Sequence, residues 1–171
     1  MAAAQSISES LEDYLEAIFH VVAEKGAARA KDIAHRMKVT APSVTGALRT
    51  LGEKGLVNYA PYDIITLTRE GRKVAADVVR RHEALRDFFV RVLNIDEAEA
   101  DDSACKMEHT VSPTILKRFI EFVRFMDSCP LAKTLWAKGF KDYYRQGTVP
   151  DDCSKCMELC VRRMKERGHG E

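Results

Sequence analysis

The chain has 171 residues, of which 46% are hydrophobic and 31% charged, and its formal net charge is +1. That is enough length and apolar content for one ordinary domain or two small ones with a buried core, and the near-neutral balance excludes a histone-like protein that binds nucleic acid over its whole surface. No apolar run approaches the about 20 residues needed to cross a bilayer, and the opening Met-Ala-Ala-Ala-Gln-Ser lacks the basic start and long apolar stretch of a signal peptide, so the expected location is the cytoplasm, with no membrane partner.

The charge is unevenly spread. Residues 25–60 hold seven bases (Lys25, Arg29, Lys31, Arg36, Lys38, Arg49, Lys54) against Asp32 and Glu53. Residues 96–102 hold five acids and no base. A basic N-terminal half can face phosphate, while an acidic segment further on draws cations.

In chain order, residues 8–23 read as an amphipathic helix, with Leu11, Leu15, Ile18, Phe19 and Val22 at helical spacing. Ser10-Leu-Glu-Asp13 resembles a capping box near its start, and Gly26 ends it. Residues 30–37 form a short second helix, with Ile33, Ala34 and Met37 on one face. Val39 and Thr40 make the turn. A third helix follows, with Thr40 or Ala41 as cap and Pro42 in its first turn, running through Val44, Leu48 and Leu51 to a stop before Gly55. Residues 56–59 and 64–67 are short and rich in β-branched, apolar and aromatic side chains, a hairpin pattern with residues 60–63 as its turn.

A long helix then runs from about Thr68 to Leu93, with Val74, Val78, Leu85, Phe88, Phe89 and Val92 available for burial. Residues 96–109 form another. Ser112 and Pro113 open the next, through Phe119, Phe122, Val123 and Met126, and Cys129-Pro130 breaks it. Residues 131–144 are a further helix, and a charged, cysteine-bearing tail follows.

Three helices and a hairpin are the order of a winged helix-turn-helix, whose third helix enters the major groove. Its candidate DNA-facing residues are Thr40, Ala41, Pro42, Ser43 and Thr45, with Gly46 beside them and Arg49 a turn on. Small hydroxyl and methyl groups touch thymine methyls and phosphates but read bases weakly, so DNA shape and dimer spacing carry much of the specificity. The wing at residues 60–63 can approach the backbone, with Tyr62 packing on sugar.

Cys105, Glu108 and His109 stand at i, i+3 and i+4, which on a helix puts a thiolate, a carboxylate and an imidazole on one face, a candidate site for a divalent transition metal. Further residues of metal-ligand type are Asp13, Glu16 and His82, and taken singly these residues have plainer readings: Asp13 and Glu16 as a solvated helix face, His82 as a hydrogen-bonded surface histidine, Cys105 as a small core residue.

Four stretches together carry a resemblance: Leu11-Glu-Asp-Tyr-Leu-Glu-Ala-Ile18, Thr40-Ala-Pro-Ser-Val-Thr45, Arg81-His-Glu-Ala-Leu85 and Ala104-Cys-Lys-Met-Glu-His109. In this order and spacing they resemble the metal-dependent repressors of the diphtheria toxin repressor and manganese transport regulator type, over about residues 8–129. The resemblance implies a mainly α fold: a winged helix-turn-helix domain (residues 1–72) and a helical metal-binding and dimerisation domain (73–145); a Cys-rich tail (146–171), to which the resemblance does not extend, follows. There is no room for the SH3-like domain of longer members, so the chain is similar to the short form. The resemblance further implies a homodimer that binds palindromic double-stranded operator DNA when metal is bound, a repressor of metal-homeostasis genes and not an enzyme.

It also implies ligands. Asp13 and Glu16 match the manganese type on the first helix, His82, Glu108 and His109 match both types, and Cys105 falls where the iron type has cysteine and the manganese type a bridging glutamate. Thiolate and imidazole favour Fe(II), with Mn(II) second, while Zn(II), Co(II) or Ni(II) can bind in vitro by the Irving–Williams order. At the iron type's second site, Arg86 replaces a carboxylate and Asp101 stands at another ligand position, which argues against a firm second ion.

Five cysteines in a chain without an export signal point to thiols or metal ligands rather than disulfides. Cys153, Cys156 and Cys160, with Cys129 or His169 as a fourth ligand, fit structural zinc, an Fe–S cluster or a redox switch as well as a plain helical tail. A redox or Fe–S sensing winged-helix regulator is the alternative function. A small metallohydrolase ranks far lower, because no activated nucleophile or phosphate loop is present.

Overall fold

The computed structural model describes residues 7–60, 64–128, 140, 143–145, 147 and 158. The chain divides into two compact units, Met1–Arg81 and His82–Glu171.

The first unit contains α1 (Glu9–Lys25), α2 (Ala30–Met37), α3 (Ala41–Glu53), β1 (Val57–Asn58), β2 (Thr66–Leu67) and the beginning of α4 (Arg69–Arg91). β1 and β2 pair antiparallel, Val57 opposite Leu67 and Asn58 opposite Thr66. Ala28 adds a single bridge to Ile65, with the Ile65 amide donating to the Ala28 carbonyl at 2.9 Å. This is the winged helix-turn-helix that the element order predicts, with one further pairing at the base of the hairpin. Residues 61–63, including Tyr62 of the expected wing tip, lie outside the described residues.

Helix α1 begins one residue later than the periodicity predicts. Ser8 is the N-cap, and its carbonyl accepts from the amides of Leu11 and Glu12. Ser10 lies inside the first turn, so the capping box expected there is not the start of the helix. The helix ends at Gly26, whose φ of 77° is the left-handed geometry that glycine adopts without penalty. Tyr14, Leu15, Ala17, Ile18 and Val21 are buried, the stripe of a helix with one face in the core. They join Ile33 of α2, Val44, Leu48 and Leu51 of α3, and Val57, Ile65 and Leu67 of the hairpin in one cluster. Two ion pairs, Lys25–Asp32 and Arg36–Glu24, both at 2.7 Å, tie the end of α1 to α2. Hydrogen bonding from Lys25 draws the Asp32 carboxyl below its ordinary range.

The junction of hairpin and α4 is tight. The Thr68 hydroxyl donates to the Gly55 carbonyl at 2.8 Å and accepts from the Gly71 amide at 3.0 Å, an N-cap arrangement. Gly71 approaches Leu56 so closely that a Cβ would lie 1.8 Å from its carbonyl oxygen.

The second unit contains the rest of α4, α5 (Glu97–Met107) and α6 (Pro113–Ser128). The boundary between the two units lies inside α4, between Arg81 and His82. Leu85, Phe89, Ala100, Ala104 and Leu116 form its core. Phe88 stacks on Phe119 with ring centroids 4.4 Å apart, and Arg91 pairs with Asp127. Asp96 caps α5 through its carboxylate, which accepts from the Ala98 amide at 2.9 Å. Of the helix expected at residues 131–144, Phe140, Tyr143 and Tyr144 are described and helical; the remainder lies outside the described residues. Among the described residues no helix is long and apolar enough to cross a membrane.

Gly71→Ala should destabilise the first unit by about 1–3 kcal/mol or more, because backbone rather than a flexible side chain blocks the added methyl. Thermal unfolding of the two proteins measures this; an unchanged midpoint would mean that the junction yields freely.

Candidate metal centre and DNA-binding helix

In the second unit, α5 ends at Met107 and Glu108 is its C-cap, still in helical conformation, with His109 in the following turn. The helix expected to continue through His109 therefore ends two residues earlier. The change matters little for Glu108 and His109, whose side chains are 0% and 7% exposed. His109 Nε2 lies 3.3 Å from Glu108 Oε1. His82, on α4 and 16% exposed, places Nδ1 2.8 Å from Glu108 Oε2. A fully buried carboxylate thus has an imidazole near each oxygen. Burying a carboxylate costs several kcal/mol unless charge and hydrogen bonds compensate it. Here the compensating groups are themselves metal-ligand types, so the residues fit a divalent transition ion.

Cys105 behaves differently. It is exposed on the last turn of α5, so it is not the small core residue of its plainer reading. Beside it, Lys106 pairs with Asp102, whose hydrogen bond raises the ammonium pKa.

In the first unit, Asp13 and Glu16 are half-buried on α1 rather than fully solvated. Glu16 Oε1 lies 3.6 Å from His20 Nε2 one turn on. Glu12 accepts from Arg81 at 2.9 Å, joining α1 to α4 across 69 positions of sequence. His20 and Glu12 escaped the sequence reading. His20 shows the signal that could have found it, an i,i+4 offset from Glu16; Glu12 depends on a long-range approach that local pattern cannot give. Cys129, Cys153, Cys156, Cys160 and His169 lie outside the described residues.

The third helix presents Thr40, Ala41, Pro42, Ser43, Gly46 and Arg49 to solvent, with Thr45 half-buried. Thr40 is the N-cap, and its hydroxyl meets that of Ser43 at 2.9 Å. Thr45 donates its hydroxyl to the Ala41 carbonyl at 3.0 Å. Arg29, Lys31, Lys38 and Lys54 are also exposed. The outward surface of α3 and its flanks is therefore small, polar and basic, suited to phosphate and groove contacts.

A winged helix-turn-helix unit followed by a helical unit with a buried carboxylate–histidine cluster defines a metal-responsive DNA-binding regulator. Residues 6–64 match the model of the iron dependent repressor N-terminal DNA binding domain, and residues 68–137 that of the iron dependent repressor metal binding and dimerisation domain. The chain is 36% identical over 123 residues to the uncharacterized HTH-type transcriptional regulator MJ0568 of Methanocaldococcus jannaschii, covering 71% of this chain and 98% of that protein. It is 35% identical over 121 residues to the HTH-type transcriptional regulator MntR of Lysinibacillus sphaericus, covering 71% of this chain and 86% of that protein. Among solved structures it is similar to a manganese-dependent transcriptional repressor in complex with manganese, with 33% identity, a TM-score of 0.60, and coverage of 67% of this chain and 53% of that one. The chain thus spans about half the length of that structure. It belongs to the iron-dependent repressor family of metal-dependent transcriptional regulators. That family consists of regulators and not enzymes, which removes the hydrolase reading.

Arg49→Ala should weaken DNA binding and lower the salt slope of the affinity by about one unit, as expected for the loss of one phosphate contact. Equal affinity and slope in a salt titration would remove Arg49 from the interface.

Proposed function

We propose that this protein is a homodimeric repressor that binds a palindromic operator in the cytoplasm when Fe(II), or secondarily Mn(II), is bound, and so controls metal-homeostasis genes. The observation that carries the reading is the fully buried Glu108 carboxylate with His82 and His109 beside it, in a chain whose other unit is a winged helix. Exposed Ile115 and Phe125 on α6 offer apolar surface for self-association, in keeping with the dimerisation domain of the matched family model.

The proposed ligands are Asp13 and Glu16 of α1 and His82, Cys105, Glu108 and His109 of the second unit. When bound, the ion supplies positive charge that neutralises these carboxylates. Asp13 and Glu16 share α1 with the apolar face that packs against α2 and α3. Ligation of α1 therefore acts on the body that holds the reading helix. Cys105 and the imidazoles support iron over manganese, and the carboxylates keep harder ions available. Zn(II), Co(II) and Ni(II) bind in vitro under the same ligand set. Operator DNA binding by the metal-free protein, titrated with Fe(II), Mn(II) and Zn(II) without oxygen, tests the reading. DNA affinity unaffected by any of the three ions would overturn it.

Glu108→Ala and His109→Ala should each abolish metal-activated DNA binding while leaving the helical circular dichroism in place. Response of both variants at wild-type metal concentrations would remove these residues from the site.

Cys105→Glu exchanges a soft sulfur for a hard carboxylate and should raise the response to Mn(II) relative to Fe(II). The activating concentration of each metal gives the ratio. An unchanged ratio would place selectivity in Asp13 or in the groups behind the ligands.

A further inference from the structure

Two i,i+4 pairs face each other in the second unit: His82 and Arg86 on α4, Glu97 and Asp101 on α5. His82 Nε2 lies 3.1 Å from Asp101 Oδ1, while its other nitrogen, Nδ1, lies 2.8 Å from Glu108 Oε2. Arg86 donates to Glu97 Oε2 at 2.9 Å and sets its Nε 3.7 Å from Asp101 Oδ1. The imidazole is thus fixed at both ends, and the carboxylate at its outer end is backed by a guanidinium anchored in the first turn of α5.

We propose that Asp101 is a positioning residue for the metal ligand His82, and that Arg86 keeps Asp101 in that role; the inference rests on the metal-binding reading above. An imidazole has two nitrogens in one plane. When Asp101 accepts a hydrogen bond from the Nε2–H group, the ring's rotation is set and Nε2 keeps its proton, so that Nδ1, which faces Glu108, is the nitrogen left to give its lone pair to an ion. A carboxylate behind a ligating histidine also raises its basicity. Asp101 is 62% exposed, and an aspartate so open to solvent would hold the ring weakly alone. Arg86 limits its freedom by charge and by its own bond to Glu97. The same fixed positive charge repels a cation from the outer face of Asp101, so this carboxylate acts on the imidazole and not as a ligand of its own.

The test compares the full chain with Asp101→Ala, Asp101→Glu and Arg86→Ala. Mn(II) affinity is read from the paramagnetic resonance of the free ion. Long-range proton–nitrogen correlation spectra of the Zn(II)-loaded protein read which His82 nitrogen bonds the ion and which carries the proton. The wild type should bond through Nδ1 with Nε2 protonated. Asp101→Ala should lose about 10–100-fold in Mn(II) affinity and the single-tautomer pattern, Asp101→Glu should recover part of both, and Arg86→Ala should lose less in the same direction. Because Asp101 is exposed, its replacement leaves the core intact, and helical circular dichroism checks this. Wild-type affinity and an unchanged His82 pattern in Asp101→Ala would overturn the inference alone. Failure of the wild type to take up either ion would instead overturn the metal-binding reading, and the inference with it.

Discussion

The second unit depends on one constraint: a carboxylate has been placed where water does not reach. Glu108 is fully buried at the end of α5, and a charge so placed is tolerated only where the surrounding groups compensate it. His82 from α4 and His109 from the turn after α5 supply that compensation. The position of Glu108 is itself set by packing. Ala100 and Ala104 bury the same side of α5 against Leu85 and Phe89, and Glu108 is the next position one turn further along that stripe. All three places are fully buried, and the third brings a charge where the first two bring methyl groups. Core packing and the position of the proposed ligand Glu108 thus depend on the same helix face.

The first unit solves a different problem with α1. One helix carries the largest share of the core, through Leu15, Ile18 and their neighbours, and on its other side carries Glu12, Asp13, Glu16 and His20. The Glu12–Arg81 pair holds α1 to α4, and the pairs at Lys25 and Glu24 hold it to α2. A helix fixed by its apolar face and by the part-buried Glu12–Arg81 pair moves as a body with what it is packed on. A ligand that acts on its acidic side is therefore felt by α2 and α3, without any change in their internal structure.

Most of this architecture is legible in the sequence, because helices with one buried face announce themselves by period. The three helices, the hairpin and the openings at Thr40-Ala41-Pro42 and Ser112-Pro113 follow from local pattern and capping chemistry. What was not legible is what depends on distant approach. The Ala28–Ile65 bridge joins a loop to a hairpin, and neither segment encodes it alone. The end of α5 at Met107 is invisible to spacing, because Glu108 keeps helical dihedrals as the cap. The unit boundary inside α4 leaves no mark, since a continuous helix has no turn residues at which to show one. At the site, residue types and order were legible, while burial was not. Spacing placed Cys105 with Glu108 and His109, yet Cys105 is exposed and the other two are not.

The reading helix adds a last constraint on how such a regulator discriminates. Its outward residues are short: Thr40, Ala41, Ser43 and Gly46, with Arg49 the longest reach. Short hydroxyls and methyls give few of the bidentate base contacts worth about 1–3 kcal/mol each. In the proposed operator-binding dimer, recognition would then rest on phosphate contacts, groove shape and the spacing of two reading helices. Each of these depends on where whole helices stand rather than on which side chain meets which base. A protein that reads DNA in this way is open to control by an ion that never touches DNA, because a small displacement of α3 degrades all of its contacts together. The size of that control is bounded. The ion shifts DNA binding only by its differential affinity for the competent arrangement, and coupling between sites of this kind is typically about 1–3 kcal/mol. Groups that position the ligands without binding DNA, the role proposed for Asp101 and Arg86 beside His82, would raise the affinity for the ion. They change the coupling only in so far as they favour one arrangement over the other.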